Sequence, residues 1–131
     1  LEQQTVPRDS FEVVLVDNAS SDGSVDLVKS QFPSVNLVES RQNLGFAGGN
    51  NLAVRHARGG TLVLLNNDTI ADPFWLEELL RARDETGADA VCSKLVFAYD
   101  PTLLNGTGLF LLRDGRGADR GFRHRDVGQH E

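Results

Sequence analysis

A chain of 131 residues with 40% hydrophobic content is one domain's worth of sequence and can bury a core. Its formal charge of −6 leaves no basic footprint for nucleic acid, and no apolar stretch reaches the length of a membrane span. One cysteine, Cys92, excludes an internal disulfide and fits a reducing, cytoplasmic compartment.

Residues 1–5 read as the last turn of a helix, followed by a polar break at Pro7-Arg8-Asp9-Ser10. Residues 11–16 are continuous and rich in valine, which predicts a strand ending in Asp17-Asn18. A short loop then leads to a helix with Asp22 or Ser24 as N-cap and Val25, Val28 and Phe32 on one face, stopped by Pro33. Residues 35–39 predict a shorter strand and residues 40–45 a loop.

Residues 46–58 predict a helix with Phe46, Asn50, Ala53 and Ala57 on one stripe. Gly48 and Gly49 each cost about 1 kcal/mol against alanine in a helix interior. Either a ligand approaches the backbone there or the helix packs closely on a sheet. After Gly59-Gly60, residues 61–65 predict a strand whose four consecutive apolar residues suit cover on both faces, as in a parallel sheet. It ends in Asn66-Asn67-Asp68, which reads as a plain turn or as a site at a strand's carboxyl end.

Asp72 caps the next helix and Pro73 opens it, with Leu76, Leu79 and Leu80 inward, Glu77 paired with Arg81 outward, and Gly87 as its stop. Residues 88–97 and 108–112 predict two further strands, with Pro101 and Asn105-Gly106 marking turns between them. From Arg113 onward Gly, Arg and Asp follow one another without periodicity. That stretch predicts a mobile loop that orders only on a partner or on further chain. The alternation of strand and helix up to Phe97 signals βαβ units, and so an α/β fold with a mainly parallel sheet flanked by helices.

Three loops then leave strands at one edge of the sheet: Asp17-Asn18, residues 43–49 and Asn66-Asn67-Asp68. A carboxylate at Asp17 can accept from the imide N–H of uracil or thymine and so reject cytosine. The glycine-rich helix start offers backbone N–H groups and a positive dipole end to a diphosphate. Asp68 would hold Mg²⁺ or Mn²⁺, hard ions that keep waters and share phosphate oxygens with one or two protein carboxylates.

Residues 14–24 (VLVDNASSDGS), 43–51 (NLGFAGGNN) and 64–69 (LLNNDT) together resemble the family 2 glycosyltransferases of the GT-A fold, especially their rhamnosyltransferase-like branch, in order and spacing over residues 11 to 97. The resemblance implies that Asp17 and Asn18 meet the donor nucleotide, that the loop with Asn43 and Gly45 lies by the ribose and diphosphate, and that Asn66, Asn67 and Asp68 replace the family's acidic metal motif, with Asp68 as ligand. It implies a UDP- or dTDP-linked sugar donor, a saccharide acceptor, and inverting transfer, with rhamnosyl transfer in cell-surface polysaccharide synthesis as its specific form. The implied place is the cytoplasm or, peripherally, the inner face of the membrane.

By the same resemblance, residues 1–112 are a partial donor-binding domain and 113–131 lead toward acceptor and catalytic parts. The family's opening strand has no match before Phe11. Its catalytic base lies beyond the region that residues 126–129 resemble, so no catalytic residue is assigned. The expectation is therefore a piece truncated at both ends, starting without Met and inactive as a transferase alone. Two other readings stand beside this one. A sugar nucleotidyltransferase would want a glycine-rich loop with Lys or Arg after the first strand, which is absent, and a non-catalytic nucleotide-sugar-binding module would need only the donor site.

Overall fold

The strand–helix alternation is realised first over residues 14–39 of the computed structural model, which describes residues 1–130. The chain forms two compact units, one of residues 7–69 and the other of residues 1–6 with the chain from Ile70 onward. The class is mixed α/β, with three α-helices and short strands among the described residues.

In the first unit a short 3-10 turn, Arg8–Ser10, precedes β1 (Val14–Asp17). Helix α1 (Ser24–Gln31) returns the chain to β2 (Asn36–Glu39), which pairs with β1 in parallel, from Val14 opposite Asn36 to Asp17 opposite Glu39. Gly23 stands at the N-cap, yet the capping is done by Asp22, whose Oδ1 accepts both the N–H and the hydroxyl of Ser24. The Ser24 hydroxyl in turn holds the Asp22 carboxyl below the usual range. Lys29 reaches Glu39 at 2.7 Å, a half-exposed pair of the kind that adds little to stability.

Helix α2 (Gly45–Val54) packs on β1 and stops four residues before the end its pattern predicts. The N–H groups of Arg55, His56 and Ala57 bond three residues back, which tightens the turn. The N–H and guanidinium of Arg58 then both go to the Glu12 carboxylate, at 2.6 and 3.0 Å, and draw the chain away from the helix axis. The Arg58 N–H is also the chief reason that Glu12 titrates below its ordinary value.

The strand expected over residues 61–65 does not form a ladder. Strand structure needs a neighbour to take its backbone groups, and among the described residues β1 pairs with β2 alone. Leu62, Val63, Leu64 and Leu65, suited to cover on both faces, stand 41% to 61% exposed.

In the second unit α3 (Trp75–Thr86) starts two residues later than expected, with Phe74 rather than Asp72 at the N-cap and Pro73 outside the helix, because the Asp72 carboxylate accepts the Phe74 N–H in the turn that leads in. It ends as expected at Gly87, whose φ of +65° is the left-handed conformation that glycine adopts freely. Residues 1–5 are not a helical turn. They cap this helix instead: Gln4 donates to the Asp72 carbonyl at 2.7 Å and accepts the N–H of Leu76 at 3.0 Å. The outward pairing also differs, since Arg81 bonds Glu78 and Glu85 while Glu77 accepts the Thr5 hydroxyl.

Beyond α3 the connections are antiparallel. Strand β3 (Leu95–Phe97) pairs irregularly with β4 (Asp100–Gly106), which runs through the residues expected as turns. Pro101 is tolerated there because it falls in the break of register between the Phe97–Asp100 and Val96–Leu104 pairs, where it has no ladder partner. Strands β5 (Leu109–Leu111) and β6 (Gly117–Asp119) form a hairpin, so the expected loop after Arg113 contains a strand. Its continuation is fastened to β4 through the N–H groups of Leu104, Arg123 and Asp126, which bond His124, Leu104 and Thr102 at 2.8–2.9 Å. These bonds order a sequence that has no apolar period of its own. Leu104 is the fully buried side chain of this unit, and buried Thr107 is satisfied by Arg120, whose guanidinium donates to the threonine hydroxyl and carbonyl.

Candidate functional site

Parallel pairing of β1 and β2 brings their carboxyl ends to the same edge, and two of the three expected loops meet there. Asp17 closes β1, half-buried, and its carboxylate accepts the Ser20 N–H with both oxygens, at 3.2 and 3.3 Å. Between them Ala19 holds φ at +66°, the left-handed region, which costs an L side chain about 1–2 kcal/mol. Strain of this kind is found where a loop is held for a purpose.

Asn18 joins this loop to the next. Its Oδ1 accepts the Leu44 N–H at 2.8 Å, and its Nδ2 donates to Asn43 Oδ1 at 3.1 Å and to the Gly45 carbonyl at 3.2 Å. Asn43 Oδ1 also accepts the Gly45 N–H at 2.8 Å. Gly45 takes φ +69° to turn the chain into α2, a conformation glycine reaches without strain.

The two interior glycines of α2 are accounted for by the protein's own packing. A Cβ on Gly48 would lie 2.8 Å from Leu44 Cβ, so a side chain there would push the loop away. Gly49, the buried residue of the helix, lies against the Asn18 amide. The close approach read from the sequence is therefore made by residues of the same chain.

Asn66-Asn67-Asp68 forms a turn closed by the Thr69 hydroxyl, which donates to the Asn66 carbonyl at 2.7 Å. It lies in the same unit as the other loops, but among the described residues no hydrogen bond links it to them. The reason is the missing ladder over residues 62–65, which would otherwise fix that turn to the sheet edge. Asp68 is exposed and its carboxylate has no partner among the described residues. No group of three or more metal-ligating side chains occurs among them either, and what this turn offers a hard cation is one exposed carboxylate.

Sequence reasoning missed a cleft of about 300 Å³ beside the clamped loop, lined by Leu44, Gly48, Asn51, Leu52 and Arg55. The readable signal was Asn51 and Arg55, one helical turn apart in an apolar and glycine-rich helix.

The sequence model of glycosyl transferase family 2 matches residues 1–127, and the chain belongs to that family. It is 31% identical over 101 residues to the glycosyltransferase AglE of Haloferax volcanii, covering 73% of this chain and 33% of that protein. It is 34% identical over 90 residues to the O-antigen biosynthesis protein RfbC of Myxococcus xanthus, covering 66% of this chain and 7% of the relative. Against the poly(ribitol-phosphate) beta-glucosyltransferase of Bacillus spizizenii it is 32% identical over 85 residues, 62% of this chain and 13% of that one. The chain thus spans a third or less of the length of these relatives. No solved structure matches it. No helix among the described residues is long and apolar enough to cross a membrane.

Proposed function

We propose that this chain binds a UDP- or dTDP-linked sugar and forms the donor half of an inverting glycosyltransferase that passes the sugar to a saccharide acceptor, with rhamnosyl transfer in cell-surface polysaccharide synthesis as its specific form. The observation that carries this reading is the hydrogen-bonded ledge joining the Asp17 loop to the start of α2, at the carboxyl edge of a parallel pair, in a chain that family 2 matches over residues 1–127. Two relatives, an O-antigen biosynthesis protein and a poly(ribitol-phosphate) beta-glucosyltransferase, are named for glycan or polyol polymers, which supports a polyhydroxylated polymer as acceptor.

Asp17 accepts the imide N–H of the base, and Asn18, Asn43 and Gly45 form the ledge beside the ribose and diphosphate. The first turn of α2, beyond the Gly45 N–H that Asn43 takes, turns its N–H groups and positive dipole end to the phosphates. Asn66, Asn67 and Asp68 serve the cation, Asp68 as its ligand. When bound, Mg²⁺ or Mn²⁺ would offset the negative charge that develops on the departing nucleoside diphosphate. In inverting transfer a base takes the proton of the acceptor hydroxyl while its oxygen attacks the anomeric carbon, and the bond from that carbon to the diphosphate breaks on the opposite face. No residue of this chain is assigned that proton. Residues 113–131 lead toward the acceptor side, and the protein works in the cytoplasm or peripherally at the inner face of the membrane.

Titration with UDP, dTDP and CDP in Mn²⁺, each against an EDTA control, tests the reading. Binding of UDP and dTDP that weakens without metal, with CDP excluded, is the expected result; equal binding of all three would overturn it. The Asp17→Ala variant is expected to weaken UDP binding by roughly 1–3 kcal/mol, the range for a lost charge-assisted hydrogen bond. Because Asp17 also holds the Ser20 N–H, a ribose diphosphate without a base is the control. Equal loss for that compound would make Asp17 a loop-holding residue only.

A further inference from the structure

We propose that Asn18 is a positioning residue, acting on the donor through the Asn43–Gly45 loop rather than by touching it. The amide nitrogen carries two hydrogens and both have acceptors, Asn43 Oδ1 and the Gly45 carbonyl, while the amide oxygen takes the Leu44 N–H. The orientation is fixed by the network: turned over, the amide would set its oxygen against two other acceptors and its nitrogen against an N–H. Gly49 lies against the same amide from the helix side, so Asn18 is enclosed by backbone on two sides. What it holds is the segment where the chain passes from β2 into α2, including Gly45 at φ +69°. It therefore sets the direction in which the first turn of α2 presents its N–H groups.

The inference rests on the proposed donor site. Asp17 reads the base from β1, whereas the loop held by Asn18 reads the diphosphate, so loosening the clamp separates the two. The test uses Asn18→Ala, Asn43→Ala and the double variant, with thermal melting to confirm that each is folded. Each single variant is expected to bind UDP about tenfold more weakly, the scale of one net hydrogen bond's worth of lost loop order. Uridine, which meets the ledge through its ribose but carries no diphosphate, should weaken less than UDP, and the double variant should lose no more than either single one, because both remove one clamp. In the ligand-free protein, Asn18→Ala should speed hydrogen exchange at the Leu44 and Gly45 amides and leave β1 and α1 unchanged. Equal losses for uridine and UDP, additive losses in the double variant, or unaltered exchange at those amides would overturn the assignment. Should the unaltered chain bind neither nucleotide, the proposed donor site falls and the binding role of Asn18 with it, while the exchange comparison decides the clamp itself.

Discussion

Asp68→Asn is expected to abolish the metal dependence of nucleoside-diphosphate binding while leaving the fold intact. The carboxylate is exposed and unpartnered among the described residues, in a turn closed by Thr69 rather than by Asp68, so removing its charge disturbs no contact. Asparagine keeps the size and the turn propensity of the residue and removes only the negative charge that a hard divalent cation requires. The expected readout in calorimetry is a gain in UDP affinity from Mn²⁺ of roughly tenfold or more in the unaltered chain, the scale of one charged contact, and no gain in the variant. An unchanged gain would take Asp68 out of the site.

Leu104→Ala is expected to destabilise the unit that follows Ile70 by about 2–5 kcal/mol, the usual cost of truncating a buried leucine and leaving a cavity. Leu104 is 0% exposed, sits in β4 with its backbone bonded to residues 123 and 124, and has Gly121 packed against its Cδ1. Such a loss is a large share of the 5–15 kcal/mol that roughly bounds a domain's stability. Leu76 is the one other buried apolar side chain among the described residues, so little remains to compensate. A denaturant midpoint that stays in place would show that the strap of residues 120–126, rather than the Leu104 side chain, holds this unit together.

The first βαβ unit was legible in the sequence because its signals are local. A valine-rich run, an Asx cap at Asp22 and a proline after Phe32 each act within a few residues, and α1 and β2 appear where they point while β1 begins three residues late, at Val14. The Asp17 edge and the Asn43 loop could be placed together because parallel strands separated by a helix must end on one side. The role of Asn18 could not be read, since an asparagine that meets a ligand and one that bonds a neighbouring loop look alike in a sequence. Their difference lies in partners 25 to 27 residues away.

Residues 62–65 and β4 show the same limit from opposite sides. The first has every strand preference and forms no ladder. The second carries Pro101 and Asn105-Gly106 and is a strand over seven residues, because β3 and residues 123–126 offer it partners. Helical turns close their hydrogen bonds within the segment, so caps and apolar spacing largely determined α1 and the end of α3 at Gly87. A strand closes its bonds on another part of the chain, and only the tertiary structure decides whether that part is there.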